Sequence, residues 1–278
     1  MLSLRINNPH IRDRADLALN IIKTAGKIIK EDFFLDKKMV FRKEPAVNIS
    51  CDADFKSGEI MINEIEHCFP YDNIISEESK PIEKGGEFLW AIDPLDGTSN
   101  FSMSIPYFGI CLSIQHNGET KFACILNPIN NDLAFAIDNE GAFFNNTPVN
   151  IEDEKKTDNM VGFYIQGYGV SKSQEIENLK ALILSSKRVL NTWAPSIDWL
   201  ALLKGHADYI VTYKTETEDF LPGAFIYQQA GGVIETWNGM PVRLDLNKNK
   251  HRTVTAVAAP KKIIDQIKSM VSQIKFMS

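Results

Sequence analysis

The sequence predicts a layered α/β sandwich, in which an antiparallel α+β half with one mixed sheet is followed by an α/β half with a second sheet and its helices. In the first half, predicted strands follow one another. After residue 160, strands and helices alternate. A charged stretch up to residue 159 separates the two patterns. We therefore expect one half over residues 1–155 and the other over residues 156–278.

The first half begins with a predicted helix at residues 10–34, where apolar residues recur at helical spacing between Ile11 and Phe33. A short strand near residues 39–42 and a helix at residues 54–68 follow. Five strands come next, at residues 74–76, 88–92, 108–115, 121–126 and 133–138. The turns at residues 116–119 (HNGE) and 127–132 predict that the last three strands form an antiparallel meander.

The second half alternates strands with helices of about ten residues, which is typical of an α/β layer. Its strands are predicted at residues 161–166, 188–191, 209–213, 233–235 and 254–258. Its helices are predicted near residues 174–184, 197–204, 220–230 and 261–274.

The composition predicts a sizeable core, since 44% of the 278 residues are apolar, and it is consistent with a soluble metabolic enzyme. The net charge of −6 argues against a protein that holds nucleic acid by bulk charge. No apolar run approaches about 18 residues, and the N-terminus is typical of an amphipathic helix rather than a signal peptide, so we expect no membrane association. The cysteines lack Cys-x-x-Cys spacing and predict free core thiols in a reducing, cytoplasmic compartment: Cys51, Cys68, Cys111 and Cys124.

The run WAIDPLDGTSNF at residues 90–101 carries most of the functional information. An apolar strand breaks at Asp93, and a second carboxylate, Asp96, directly precedes small and hydroxyl residues that can open a helix. Carboxylate oxygens are ligands that Mg²⁺ prefers, and the backbone N–H groups of Gly97 and Thr98 would face a phosphate. An isolated Asp-Pro-x-Asp-Gly is more often a turn, so this interpretation depends on further acids elsewhere.

Three further acidic clusters accompany that run: IISEES at residues 74–79, ETED at residues 216–219 and DAD at residues 52–54. Taken singly, each is typical of a solvated surface or of a helix N-cap. Each one also lies at a strand end or a helix start. Jointly they predict carboxylates that converge on one edge of a sheet.

These motifs resemble the signatures of the inositol monophosphatase family of metal-dependent, lithium-sensitive phosphatases. The resemblance includes residues 77–79 (EES), Asp54 at the usual interval before Glu77, Asp219 opening a helix before Gly231-Gly232, and the hairpin NEGAFFNN at residues 139–146. It spans about residues 10–260 as one continuous domain and implies a five-layer αβαβα sandwich. Haloacid dehalogenase phosphatases are excluded because one residue separates the two acids of their motif, whereas two residues, Pro94 and Leu95, separate Asp93 from Asp96 here. An EF-hand loop is excluded because it needs a glutamate at its twelfth position, and the twelfth position counted from Asp93 is Ser104.

The resemblance implies a phosphomonoesterase that binds two or three Mg²⁺ ions and uses a metal-activated water, with no covalent intermediate. By matching position, Glu77, Asp93 and the carbonyl of Leu95 would hold the first ion. Asp93, Asp96 and Asp219 would hold the second. Lithium inhibition and a homodimer are implied in the same way.

The resemblance also assigns roles around the attacking water and the phosphate. Thr98 and Asp54 would orient and polarise the water, with Glu77 nearby. The N–H groups of Gly97 and Thr98 would receive the phosphate.

The leaving-group side departs from the inositol-preferring relatives. Thr212 stands where they keep an acid that holds a ring hydroxyl, and Trp193 and Ser196 lie in a stretch that is small in those relatives. These residues, with Asp219, are the expected substrate contacts. Inositol monophosphate and other sugar or polyol phosphates are the first expectation. Histidinol phosphate, fructose bisphosphate, 3′-phosphoadenosine 5′-phosphate and NADP stay open, as does a protein-binding role in transcription antitermination.

Overall fold

The computed structural model describes residues 9–35, 40–42, 49–151, 159–244, 253–272 and 274. Within them the helices are α1 (Pro9–Phe34), α2 (Asp52–Cys68), α3 (Thr98–Ser102), α4 (Lys172–Ser185), α5 (Pro195–Leu203), α6 (Thr217–Gln229) and α7 (Ile264–Ser272). The strands are β1 (Val40–Arg42), β2 (Ile49–Cys51), β3 (Asn73–Ser76), β4 (Ser79–Ile82), β5 (Phe88–Asp96), β6 (Gly109–His116), β7 (Glu119–Asn127), β8 (Asp132–Ile137), β9 (Gly141–Phe144), β10 (Thr147–Val149), β11 (Val161–Gln166), β12 (Arg188–Leu190), β13 (Tyr209–Glu216), β14 (Val233–Thr236) and β15 (Thr253–Ala259).

Thirteen of the described strands form two large sheets between layers of helices, and β1 and β2 pair with each other in a separate two-stranded sheet. One has eight strands in the order β10-β9-β8-β7-β6-β5-β3-β4, and the other has five in the order β12-β11-β13-β15-β14. Helices α1 and α2 pack on the outer face of the first sheet, α5 and α6 lie between the sheets, and α4 and α7 cover the second sheet. The predicted αβαβα layering is confirmed. The division near residues 150–160 stays a prediction.

Periodicity predicted α1 because this helix buries an apolar stripe. Along α1, a row of small and branched residues that includes Ala15, Ile22 and Ile29 is buried against the first sheet. The predicted meander is present as β6, β7 and β8. Its two-residue turn has left-handed backbone at Asn117 (φ 51°) and Gly118 (φ 87°), as a tight hairpin between twisted strands requires.

Several elements differ from the sequence prediction. Strand β5 does not stop at Ile92 but continues to Asp96, with a register shift against β6 between Asp93 and Asp96. The short strands β2 and β4 were not predicted, since three or four residues carry too little periodicity. Met39, at the start of the strand predicted near residues 39–42, lies outside the described residues.

The cysteines are all unpaired, as predicted, but only three of them are core thiols. Cys51, Cys111 and Cys124 are buried, whereas Cys68 is exposed at the last position of α2. The expectation of a core position for Cys68 was wrong because this residue lies on the exposed side of the last turn of α2, in which Ile65 is the buried residue. Among the described residues, the helices are all too short or too polar to cross a membrane.

Candidate active site

Three carboxylates from separate elements meet at one edge of the eight-stranded sheet. Glu77 follows β3, Asp93 lies in β5 and Asp219 lies in the first turn of α6. Each offers one oxygen, and these oxygens lie within 4.8 Å of one another. Strands β3 and β5 run parallel and adjacent, so their carboxyl ends present Glu77 and Asp93 at the same edge. The three groups offer carboxylate oxygens, which are the donors that hard cations such as Mg²⁺ prefer.

The electrostatics of this cluster favour a bound cation. Burial, followed by the charges of Glu77 and Asp96, raises the pKa of Asp93 well above its usual range. Burial and the charge of Glu77 do the same for Asp219. The carboxylates therefore repel one another, and a divalent cation between them would restore their ionised form. The residues present fit a metal site of the kind the sequence predicts.

Asp96 lies in the same cleft but has a different environment from the three clustered acids. It is 7% exposed, and its carboxylate accepts a hydrogen bond from the backbone N–H of Ser196. Burial raises the pKa of Asp96 to about 7 despite this hydrogen bond. The bond also joins the first half of the chain to the N-terminal turn of α5.

A compact turn orders the residues between the two aspartates. The backbone N–H of Leu95 donates to Asp93 Oδ1 at 3.0 Å, and the Thr98 hydroxyl donates to the Leu95 carbonyl at 2.9 Å. Thr98 Oγ1 also lies 3.5 Å from Asp54 Oδ2. The turn thus brings together Asp54, Thr98 and the Leu95 carbonyl. The resemblance assigns the first two to the attacking water and the third to a metal ion.

Helix α2 positions Asp54 by packing closely on that turn. The Ser57 hydroxyl donates to the carbonyl of Pro94 at 3.2 Å. A Cβ at Gly58 would lie 3.1 Å from the Pro94 ring, so this glycine permits the close approach. Asp54, one turn earlier, is consequently buried beside Thr98.

Gly97 has a backbone conformation that other residues adopt rarely. Its φ is +88°, and it immediately precedes α3. A Cβ there would lie 2.9 Å from the Ala194 side chain and 3.1 Å from the Tyr107 carbonyl. Gly97 therefore allows the chain to turn from β5 into α3 while the loop before α5 packs against it.

The opposite wall of the cleft comes from the second half of the chain. Its lining includes two aromatic residues, Tyr168 and Trp193, which are 38% and 39% exposed. Pro195, Glu216 and the buried Asp198 also line it. Asp198 accepts hydrogen bonds from the hydroxyls of Tyr107 (2.9 Å) and Thr192 (2.6 Å).

Most of the residues that the sequence singled out line this one cleft: Glu77, Asp93, Leu95, Asp96, Gly97, Thr98, Trp193 and Asp219. Asp54 lies behind Thr98, and Ser196 is buried where its N–H contacts Asp96. Thr212 departs from the expectation. It is 1% exposed, and its Oγ1 accepts the backbone N–H of Ala256 at 3.0 Å, inside the second sheet. The expected substrate contact by Thr212 is thus corrected to a structural role.

Sequence reasoning missed Tyr168, Gln166 and Asp198, and it considered Glu216 only as part of an acidic cluster. Tyr168 stands between Gly167 and Gly169, which marks a sharp loop but not the direction of its ring. Glu216 reaches the cleft because β13 has a register shift against β15 between Thr212 and Thr215. A one-residue irregularity of this kind has no periodic signal in the sequence.

Comparison with known proteins agrees with this geometry. The model of the inositol monophosphatase family matches residues 11–274. A fructose-1,6-bisphosphatase/inositol-1-monophosphatase of Thermotoga maritima is 27% identical over 231 residues, which are 82% of this chain and 86% of that protein. A protein named Nus factor SuhB, from Pasteurella multocida, is 25% identical over 92% of this chain and 96% of its own length.

The fold agrees with solved structures as well. The structure of an inositol monophosphatase of Thermotoga maritima superposes with a TM-score of 0.82 at 24% identity, and the match covers 94% of this chain and 98% of that one.

Proposed function

The chain belongs to the inositol monophosphatase family, and on that premise we propose that its cleft hydrolyses small phosphate monoesters with Mg²⁺ as cofactor. The observation that carries the proposal is the convergence of Glu77, Asp93 and Asp219 within 4.8 Å beside a turn that holds Asp96, Gly97 and Thr98. When bound, two or three Mg²⁺ ions would neutralise the phosphate, activate water and stabilise the leaving alkoxide.

The side chains divide the work around those ions. Glu77, Asp93 and the Leu95 carbonyl would hold one ion, and Asp93, Asp96 and Asp219 would hold the other. The Leu95 carbonyl already accepts the Thr98 hydroxyl, but a carbonyl oxygen has a second lone pair for a cation.

The attacking water would lie beside Thr98. Asp54 Oδ2 lies 3.5 Å from the Thr98 hydroxyl, which donates to the Leu95 carbonyl. If that hydroxyl turned to Asp54, it would pass its own proton to the carboxylate while it accepts one from the water. The N–H groups of Gly97 and Thr98 would receive the phosphate. Water is the nucleophile throughout, so no residue becomes phosphorylated.

The leaving-group wall supports a broad rather than a strict choice among sugar and polyol monophosphates. Thr212 lies inside the sheet and offers the cleft no acid for a ring hydroxyl. Trp193 and Pro195 narrow the alcohol side. We expect inositol 1-phosphate to be accepted without strong preference.

A second candidate function is a protein partner in transcription antitermination, favoured by the similarity to proteins named Nus factor SuhB. The complete acidic cluster favours catalysis, because carboxylates this close together repel one another when no cation is bound between them. Together with the phosphatase function, we propose that the protein forms a homodimer and is located in the cytoplasm.

The test is phosphate release from a panel of esters, with and without Mg²⁺: inositol 1-phosphate, histidinol phosphate, fructose 1,6-bisphosphate, 3′-phosphoadenosine 5′-phosphate and NADP. Magnesium-dependent release from any of them supports the proposal. No release from the whole panel would overturn it in favour of the partner role. Sub-molar Li⁺ is expected to inhibit uncompetitively, by occupying the Asp93–Asp96–Asp219 position after hydrolysis.

A further inference from the structure

We propose that Asp198 is a positioning residue for the phosphate, because it closes a ring of hydrogen bonds that holds the turn at Gly97 and Thr98 in place. The inference rests on the proposed phosphatase function and deepens it, since it names what fixes the N–H groups that would receive the phosphate. The ring can be followed in the metal-free protein, so its failure and the failure of the phosphatase function are distinguishable.

Two buried side chains, Asn100 and Asp198, bond the same two residues at opposite ends. Asn100 Nδ2 donates to the backbone carbonyls of Tyr107 and Thr192, in both cases at 2.8 Å. The side-chain hydroxyls of Tyr107 and Thr192 donate to Asp198 Oδ1 at 2.9 Å and 2.6 Å. These four hydrogen bonds close a ring that joins residues 100–107 to residues 192–198.

Gly97 lies against both of the segments that the ring joins. A Cβ at Gly97 would lie 2.9 Å from the Ala194 side chain and 3.1 Å from the Tyr107 carbonyl oxygen. Asp198 is bonded to both of these neighbours: its carboxylate accepts the Tyr107 hydroxyl, and its backbone N–H donates to the Ala194 carbonyl at 3.2 Å. Because packing here is close, a shift of either neighbour would move Gly97.

The backbone next to the ring is strained. Trp193 directly follows Thr192 and has a φ of +56°, which is uncommon for a bulky side chain. Such conformations persist only where the surrounding structure holds them. The carbonyl and the hydroxyl of Thr192 are both bonded within the ring. We therefore expect the segment at residues 190–196 to loosen when the ring is broken.

The ring needs an acceptor oxygen from Asp198 rather than a charge. Both hydroxyls donate to the same oxygen, Oδ1, and the side chain is 1% exposed. Burial raises the pKa of Asp198 well above its usual range, although the two hydroxyls lower it. Asparagine would offer the same acceptor without a charge, whereas leucine would fill a similar volume and offer none. The variants Asp198→Asn and Asp198→Leu therefore separate the acceptor from the volume.

Hydrogen–deuterium exchange of the metal-free protein follows the ring directly. The amides to compare are those of residues 97–103, where Phe101 and Met103 donate within α3, and those of residues 190–196. In Asp198→Leu both sets should exchange about tenfold faster than in the wild type, and in Asp198→Asn both should stay within about twofold of it.

The second measurement is the affinity for inorganic phosphate with Mg²⁺ present, by isothermal titration calorimetry. Inorganic phosphate has no alcohol part, so its affinity is independent of the leaving-group wall. We expect binding to be about tenfold weaker in Asp198→Leu and in Tyr107→Phe, and within about twofold of the wild type in Asp198→Asn. Rescue by asparagine is the result that a role of the charge, or of simple packing, would not give.

Two buried hydroxyls outside the cleft provide matched controls. The Tyr209 hydroxyl bonds Ser186, and the Thr120 hydroxyl donates to the Leu244 carbonyl at 2.8 Å. Tyr209→Phe and Thr120→Val should lower the free energy of unfolding but leave the phosphate affinity unchanged.

The hydroxyl donors test whether one ring carries the effect. Thr192→Val removes a donor and should weaken phosphate binding, whereas Thr192→Ser keeps the donor and should retain it. In the double variant Asp198→Leu/Tyr107→Phe, phosphate should bind within about twofold of Asp198→Leu alone, because both changes break the same bond. Independent, additive losses would overturn the ring.

The outcomes separate this inference from the proposed function. If esters are hydrolysed with Mg²⁺ but Asp198→Leu and Tyr107→Phe bind phosphate within about twofold of the wild type, the positioning role is overturned and the phosphatase stands. If no ester is hydrolysed, the phosphatase proposal fails and the exchange measurement decides the ring by itself. Faster exchange at residues 190–196 with unchanged exchange at residues 97–103 would then overturn it, and faster exchange in both would support it.

Discussion

Two walls of the cleft are built in different ways: the acidic wall, which contains the turn from Asp93 to Thr98, and the aromatic wall, which contains Tyr168 and Trp193. On the acidic wall, neighbours in sequence hold one another: Leu95 N–H bonds Asp93 two residues away, and Thr98 bonds the Leu95 carbonyl three residues away. On the aromatic wall, the bonds join distant segments, such as Tyr168 to Glu216 and Asn100 to Thr192. The comparison teaches that local bonds order the turn from Asp93 to Thr98, whereas the opposite wall depends on how separate loops pack. The acidic cluster itself still needs Glu77 and Asp219 from other elements.

The walls are nevertheless connected at two points. Asn100, near the end of the acidic run, donates to the carbonyls of both Tyr107 and Thr192. Asp96 accepts the N–H of Ser196 at the start of α5. Substitutions of Asn100 or Asp96 should therefore change both the rate of hydrolysis and the preference among esters. Substitutions within one wall should change mainly the property that depends on that wall.

The largest effect is expected from Asp93→Asn. Losing the charge at the centre of the cluster should lower phosphatase activity about a hundredfold or more and raise the Mg²⁺ concentration needed for half-maximal rate. Asparagine can still accept the Leu95 N–H, so the turn should remain. Steady-state rates across a Mg²⁺ titration measure this, with the exposed Asp16→Asn on α1 as control. Near-normal activity at limiting Mg²⁺ would remove Asp93 from the metal site.

Thr98 tests the hydrolytic role of the acidic wall. Thr98→Ala removes the hydroxyl between Asp54 and the Leu95 carbonyl, and we expect activity to fall about tenfold to a hundredfold. Thr98→Ser retains the hydroxyl and should stay within a few-fold of the wild type. Measuring kcat together with the free energy of unfolding separates catalysis from folding. Equal losses of activity in both variants would contradict the role assigned to the hydroxyl.

Asp96 should make the metal-free protein sensitive to pH. Burial raises the pKa of this acid from its ordinary 3.8 to about 7 in the folded state, so the folded protein binds the proton more tightly than the unfolded chain does. The resulting stabilisation is fully present below pH 4 and is lost as the pH rises through 7, at about 1.4 kcal/mol for each pH unit between the two pKa values.

The measurement is urea unfolding in EDTA at several pH values, for the wild type and for Asp96→Asn. Asparagine can still accept the Ser196 N–H but cannot titrate. The variant should therefore lose part of the decline in unfolding free energy between pH 4 and 7. Identical pH profiles would show that Asp96 titrates near its ordinary pKa.

The smallest effect is expected at Thr212, and it concerns stability alone. Thr212→Val removes the acceptor of the Ala256 N–H and should cost about 1–2 kcal/mol of unfolding free energy. Thr212→Ser keeps the acceptor as the matched control. The ratios of kcat/KM between esters should be the same in both variants. A change in substrate preference caused by the loss of this hydroxyl would return Thr212 to the substrate site.

The sequence alone determined the layered fold and the acidic wall. Helical and strand periodicity is a property of consecutive residues, so α1, α2 and the β6–β8 meander could be predicted from their apolar patterns. The same holds for residues 90–101, because short-range turn bonds orient Asp93 relative to Leu95 and Thr98. The exposure of Cys68 at the end of α2 could not be predicted in this way, since one residue at a helix end carries no periodic signal.

Only the tertiary structure decided which residues of the second half face the cleft. Between the pairs Thr212–Ala256 and Thr215–Val254, β13 advances by three positions while β15 advances by two. Within this stretch, Lys214 has a left-handed φ of +50°. An extra residue in one strand reverses the face on which every later side chain lies. Thr212 is therefore enclosed between strands while Glu216 reaches the cleft. That reversal depends on the pairing with β15, some forty residues later in the chain, and no local pattern encodes it.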